Sequence, residues 1–149
     1  MVTLNQINEF LKSEPIALAG VSRNTKKFGY TAFKELKEKG MNILPVNPFA
    51  EEICGSKVYH DVRSLPDTVR GLIIMTSKKQ TAGVIREAME KGIKNIWIQQ
   101  MADSREALKE LEGTDINYIA GECILMHYKP HSIHKFHAAL RRFFGRFPK

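Results

Sequence analysis

Short apolar runs alternate with longer amphipathic stretches along most of this chain. The first run, residues 15–20 (PIALAG), is wholly apolar and stops at glycine, which suits a strand covered on both faces. Residues 42–46 (NILPV), 71–75 (GLIIM), 95–98 (NIWI) and 116–119 (INYI) predict four further strands. Between them the apolar positions recur at helical spacing. Ala32, Phe33 and Leu36 do so in residues 30–39 before Gly40; Ala82, Ile85, Ala88 and Met89 in residues 78–91 before Gly92; and Ala107, Leu108 and Leu111 in residues 103–112 before Gly113. Ahead of the first strand, Thr3 and Gln6 have the spacing of a capping box, opening a short helix with Leu4, Ile7, Phe10 and Leu11 on one face.

Strands that alternate with helices of this length need crossover connections, which are right-handed and build a parallel sheet. The predicted fold is α/β: a Rossmann-like, doubly wound, mostly parallel five-stranded sheet with helices on both faces. Ligands of such sheets sit outside the carboxyl ends of the strands, near the point where strand order reverses. Function is therefore expected in the loops that follow Ala19, Val46, Met75 and Ile98.

The first of these loops, residues 20–29 (GVSRNTKKFG), carries the densest chemistry. A helix start leaves backbone N–H groups unpaired and carries partial positive charge, so an anion settles there. Gly20 permits a tight turn and Gly29 a close approach at the helix start. Ser22 and Thr25 add hydroxyls, and Arg23, Lys26 and Lys27 add charge. The pattern is neither a Walker loop nor the dinucleotide fingerprint G-x-G-x-x-G, because Ser22 stands where the second glycine belongs. The acid that would hold an NAD ribose about 20 residues on is also missing; Pro45, Val46, Asn47 and Pro48 occupy that place. Three cations without a ribose-binding acid favour a ligand with more phosphate than NAD, a description that coenzyme A and NADP both meet. Solvated surface charge is the plain alternative for each cation.

Composition narrows the classes. A chain of 149 residues fits a single domain over 1–149, burying roughly 70% of the surface its unfolded form exposes. With 43% apolar and 26% charged residues it is ordinary for a globular protein, and no apolar run approaches the ~18 residues of a membrane span. Residues 1–10 lack a charged-then-apolar signal pattern, and Cys54 and Cys123 are far apart with no C-x-x-C spacing. A reducing cytoplasm is the expected setting.

Of the net charge of +7, six positive charges follow Glu122, at Lys129, Lys135, Arg141, Arg142, Arg146 and Lys149. A helix over residues 132–144 would put Ile133, Phe136, Leu140, Phe143 and Phe144 on one stripe opposite His134, Lys135, Arg141 and Arg142. Docking on the protein's own sheet is the first expectation; a second copy (a homodimer), an anionic membrane surface and nucleic acid are the alternatives. Aromatics at core spacing, rather than interleaved with the charges, count against base stacking and so against nucleic acid. His127, His131, His134 and His137 have no i, i+4 pair within the predicted helix and no acidic partner after Cys123, so no metal site is expected. Cys123 is read as a buried, inert cysteine, with a mixed disulfide to a ligand thiol as the alternative.

Taken together, residues 16–22 (IALAGVS) with Lys27, Phe28 and Gly29, then Pro45 to Pro48 followed by Gly55 and Tyr59, then Trp97 and Gln99, give a pattern over residues 14–123. It resembles the small stand-alone CoA-binding proteins, related in fold to the CoA-binding domain of succinyl-CoA synthetase alpha subunits and acyl-CoA synthetases. The resemblance implies coenzyme A or acyl-CoA as ligand. It implies phosphates on Ser22, Arg23, Lys26 and Gly29, the adenosine end beside Val46 and Asn47, and the pantetheine arm near Thr76 and Ser77, with Gly20, Lys27, Phe28 and Pro48 as further cofactor-binding residues. Two departures are visible: the family follows Trp-x-Gln with a glycine, whereas Gln100, Met101 and Ala102 stand here, and the tail after Cys123 is longer and more basic than the family needs. The resemblance implies binding without catalysis, and a CoA-using enzyme as partner, because the synthetases' phosphorylated histidine and nucleotide-grasping domain lie outside the CoA domain. No G-x-S-x-G elbow, spaced acid pair or metal-ligand cluster replaces them. The alternative functions are a small NADP-dependent oxidoreductase-like protein and an adaptor that binds nucleic acid or a protein partner through the basic C-terminal helix.

Overall fold

The computed structural model describes residues 1–129; the helix expected at 132–144, with His131, His134 and His137, lies outside the described residues. In chain order the elements are α1 (Leu4–Leu11), β1 (Ile16–Ala19), α2 (Phe28–Glu38), β2 (Ile43–Val46), β3 (Glu52–Ile53), β4 (Ser56–Lys57), β5 (Gly71–Ile74), α3 (Lys78–Lys91), β6 (Asn95–Gln99), α4 (Arg105–Leu111) and β7 (Asn117–Glu122). A 3-10 turn, Ile124–Met126, follows.

Five strands form one sheet in the order β2-β1-β5-β6-β7, and every pairing in it is parallel. Parallel strands are covered on both faces, and the side-chain period of two divides their residues between two cores. Ile16, Leu18, Ile73, Trp97 and Ile119 join α1 (Ile7, Phe10) and α2 (Ala32, Phe33, Leu36) on one face. Ala17, Ala19, Leu72, Ile74, Ile96 and Ile98 join α3 (Ala82, Ile85, Ala88) and α4 (Ala107, Leu111) on the other. Phe33, Leu36, Leu72 and Ile85 are fully buried, and each stabilises the fold by roughly 1.5–3 kcal/mol of transfer free energy. Because α2 leaves β1 over one face and α3 leaves β5 over the other, the strand order reverses between β1 and β5.

The expected strands are present, with two additions. A two-residue hairpin, β3 with β4, interrupts the crossover between β2 and β5, closed by Cys54 (φ 50°) and Gly55 (φ 73°). The last strand runs on to Glu122, beyond the apolar stretch that predicted it, past a shift of register opposite Ile98 and Gln99. Trp97 and Gln99 account for that extension. The Trp97 indole N–H donates to the Glu122 carbonyl (3.0 Å), and the Gln99 side-chain oxygen accepts from the Ile124 amide (3.1 Å). Both side chains are buried.

Candidate functional site

A cleft of about 580 Å³ opens at the carboxyl edge of the sheet where strand order reverses. Its walls come from three of the four expected loops: Gly20 to Ser22 after β1, Asn47 to Phe49 after β2, and Met75 to Ser77 after β5. The fourth loop, after β6, does not line it. There Met101 takes up a left-handed turn (φ 75°) with its side chain exposed, the backbone conformation that glycine adopts most cheaply. The loop that lacks the expected glycine thus still contains a left-handed residue, Met101.

The floor of the cleft depends on two close backbone approaches. Gly20 has φ +98°, and a Cβ there would come within 2.5 Å of the Met75 carbonyl carbon. A Cβ on Gly29 would run into the Gly20 carbonyl oxygen. Any larger residue at either position would therefore push α2 away from β1 or the β1 loop away from β5. Hydrogen bonds lock the arrangement: the Met75 amide donates to the Ala19 carbonyl (2.8 Å), and the Asn47 side-chain amide donates to the Val21 carbonyl (2.8 Å). The Asn47 side-chain oxygen accepts from the Phe49 and Ala50 amides (2.8 and 3.0 Å). Asn47 is thus a brace between two loops, and its oxygen is already engaged.

Within the first loop, the Ser22 hydroxyl oxygen accepts from the Asn24 amide (3.0 Å), and the Asn24 side chain accepts from the Lys26 amide (2.9 Å). The Ser22 hydroxyl proton remains available to a ligand. Of the sequence-predicted residues, Gly20, Ser22, Val46, Asn47, Pro48, Thr76 and Ser77 come together as cleft lining. Arg23, Lys26, Lys27 and Phe28 are exposed side chains of the same loop that do not line the cleft, and Gly29 is buried under the loop. The backbone N–H groups of Phe28, Gly29 and Tyr30 make no hydrogen bond among the described residues, and no side chain caps α2.

The same is true across the cleft. Ser77 precedes α3 without capping it; its hydroxyl donates instead to the Gln80 side-chain oxygen (3.0 Å). The amides of Lys78 and Lys79 are unpaired among the described residues. Thr81 is fully buried, and its hydroxyl lies within hydrogen-bond distance of the Ala102 carbonyl (2.8 Å), the Ser77 carbonyl (3.1 Å) and the Thr76 hydroxyl (3.1 Å), fixing this helix start against the sheet. Lys78 and Lys79, like Arg23, Lys26 and Lys27, form no ion pair among the described residues. Cations beside the positive end of a helix are unfavourable on their own and favourable once an anion bridges them.

Sequence reasoning missed the side wall. His60, Asp61 and Val62 enter the lining because the chain bridges back alongside β2, with the Tyr59 amide on the Pro45 carbonyl (3.0 Å) and the Asn47 amide on the Tyr59 carbonyl (2.9 Å). Gln80, Gly83, Val84, Arg86 and Glu87 enter from the exposed face of α3. Gly55 and Tyr59 were the nearest signal for the first group; the second had none beyond helical period. The acidic groups here have structural work: Asp61 accepts from the Ser64 amide (2.7 Å), and Glu87 accepts from the Val62 amide (3.2 Å) and faces Arg63 (3.7 Å). Cys123 lies in the core shared by α1 and α2, outside the cleft lining.

A sequence model for the CoA binding domain matches residues 14–129. The chain belongs to the CoA binding domain family. Over 93 residues, 62% of this chain and 20% of the relative, the domain is 39% identical to the alpha subunit of acetate–CoA ligase (ADP-forming) II of Pyrococcus furiosus. It spans 14–20% of the length of the first three such ligases. An uncharacterised protein of Bacillus subtilis, YneT, is similar over 89% of its own length at 27% identity, with 80% of this chain covered. Among solved structures, a conserved hypothetical protein from Pyrococcus furiosus superposes with a TM-score of 0.71 at 41% identity, covering 74% of this CoA-binding domain and 95% of that chain. No helix among the described residues is long and apolar enough to cross a membrane.

Proposed function

We propose that this chain, as one domain over residues 1–149, binds coenzyme A or acyl-CoA in the cleft between β1 and β5, without catalysing a reaction on it. The observation that carries the reading is the pair of uncapped helix starts beside the cleft: α3, whose Ser77 and Lys79 line it, and α2, whose Gly29 packs on the Gly20 turn that lines it, with five cations in these two segments that form no ion pair among the described residues. A pyrophosphate with a further phosphate fits this donor set: unbonded N–H groups, the free hydroxyl proton of Ser22, and Arg23, Lys26, Lys27, Lys78 and Lys79. The residue ending β2 supports the choice of coenzyme A over NAD. Asn47 is neutral and spends its side-chain oxygen on two amides, leaving no acceptor for a ribose hydroxyl pair. The engagement of Asp61 and Glu87 in holding the wall supports binding rather than bond-breaking.

A cytoplasmic setting and a CoA-using enzyme as partner belong to the same proposal, supported by relatives named as acetate–CoA ligases. Calorimetry with coenzyme A, dephospho-CoA, NAD and NADP tests it. Coenzyme A should bind best, and removing the 3′-phosphate should weaken binding; preference for NADP would replace the reading with an oxidoreductase-like one.

A further inference from the structure

Helix α2 presents Tyr30, Lys34 and Lys37 on one side, at positions i, i+4 and i+7, and the β3–β4 hairpin stands against that side. Lys37 holds the hairpin there: its ammonium donates to the Cys54 carbonyl (2.6 Å) and the Ser56 hydroxyl (2.8 Å). Between helix and turn a cavity of about 390 Å³ remains, lined by Tyr30, Lys34, Lys37, Glu38 and Cys54. That volume is in the range small ligands occupy. None of these residues lines the cleft at the carboxyl edge, so this is a second and separate cavity, on the α2 side of the sheet.

Cys54 is a free, half-buried thiol in the wall of this cavity, whereas Cys123 is buried in the core. The neighbours of Cys54 suit a thiolate. The Tyr30 hydroxyl faces the thiol, whose hydrogen bond and then charge hold the phenol above its ordinary 10.0, so it stays protonated and donates. Lys34 and Lys37 bring two positive charges against one negative group, Glu38. Lys37 is committed to the hairpin. Lys34 has one ion contact among the described residues, a long and exposed one to Glu38 (4.0 Å), so its ammonium can turn to an anion in the cavity. Partly exposed cysteines flanked by cations react, and buried apolar ones are inert.

We infer that this cavity is a thiol-modification site, in which Cys54 exchanges with small disulfides that carry negative charge. The Cys54 sulfur, its proton lost to water, attacks one sulfur of the disulfide. The S–S bond of the small molecule breaks, a new S–S bond joins its near half to Cys54, and its far half leaves as a thiolate. The disulfide is both the oxidant and the source of the attached group. Lys34 draws in the charged reagent, and the Tyr30 hydroxyl steadies the attacking thiolate. The inference stands apart from coenzyme A binding, because the two cavities share no lining residue.

The test incubates the full chain with glutathione disulfide, which is anionic, and with cystamine, which is cationic, at mildly alkaline pH. Intact mass gives the rate, peptide mapping of the wild type gives the site, and each rate is divided by that of N-acetylcysteine amide with the same reagent. One glutathione should attach, at Cys54, and Cys54→Ser and Cys54→Ala should take up none. The relative rate should favour glutathione disulfide over cystamine by about threefold or more at low salt, and either about 1 M salt or Lys34→Gln should remove most of that preference. Attachment first at Cys123, attachment at neither cysteine, or equal or greater preference for cystamine overturns the inference. A preference unmoved by salt and by Lys34→Gln overturns it too. Coenzyme A affinity, measured on the same samples, reports on the cleft alone, so either reading can fail while the other stands.

Discussion

Two pairs of helices in this molecule begin in opposite ways. Helix α1 opens with a complete capping box, the Gln6 amide on the Thr3 hydroxyl (3.2 Å) and the Thr3 amide on the Gln6 side chain (2.9 Å), and α4 opens with the Ala107 amide on the Ser104 hydroxyl (3.1 Å). Helices α2 and α3 open with no side-chain cap: Lys27 stands at the N-cap of α2, and Ser77 at that of α3 turns its hydroxyl to Gln80. Charge follows the same division. Lys91 with Asp67, Lys94 with Asp115 and Arg63 with Glu90 are paired away from the two open helix starts, while Arg23, Lys26, Lys27, Lys78 and Lys79 beside those starts form no ion pair among the described residues. A fold that can satisfy its helix starts leaves two of them open where the cleft is. What the capped pair obtains from its own side chains, the open pair would obtain from a ligand under the proposed function.

The strongest way to break this contrast is at Gly29. Gly29→Ala drives a methyl group into the Gly20 carbonyl, so stability should fall by about 3 kcal/mol in denaturant unfolding, with coenzyme A binding lost. Retention of full stability would mean that α2 does not rest on the β1 turn. Supplying the missing cap should act in two directions. Lys27→Asp puts a cap and a negative charge at the start of α2, which should raise stability by about 1 kcal/mol and weaken coenzyme A about tenfold or more. Equal affinity for the variant and the parent would place the anion elsewhere.

On the capped side, Thr3→Ala and Ser104→Ala should each cost about 1 kcal/mol and leave coenzyme A affinity unchanged. A loss of affinity in either would erase the distinction between the pairs. The smallest effect belongs to the paired charges. Lys91 holds the Asp67 carboxyl below its ordinary 3.8, first by hydrogen bond and then by charge, and Arg63 does the same for Glu90 below its ordinary 4.5. Both pKa values are depressed by folding, so the stability they contribute is present above those ordinary values and lost as pH falls through the folded ones. These groups are exposed, so melts between neutral and acid pH should show a slight decline there that about 1 M salt removes. A decline of the same size in high salt would assign it to other groups.

The sheet was legible because its strands are short apolar runs bounded by glycine and polar residues, and α3 because its apolar period persists over fourteen residues. The β3–β4 hairpin was not, since two-residue strands leave no period to detect, and its turn places a cysteine where asparagine is usual. The end of β7 was hidden because Glu122 and Ile124 are held by the side chains of Trp97 and Gln99, residues distant in sequence. Those two side chains belonged to the pattern by which the family was recognised, and in the fold they anchor the chain after β7. The first loop, the candidate phosphate seat, stood out by its glycines and cations. The wall from His60 to Val62 and the lining residues of α3 became visible only through tertiary placement, because a loop returning to β2 and one exposed face of a helix have no local signature.

The central claim, that a polyanion completes the open starts of α2 and α3, is tested most directly by the backbone amide resonances of nitrogen-15-labelled protein as coenzyme A is added. The amides of Phe28, Gly29, Lys78 and Lys79 should move furthest and become protected from hydrogen exchange, while those of Leu4 to Gln6 and Arg105 to Ala107 stay in place. Saturation by coenzyme A with the first group unmoved would contradict the account.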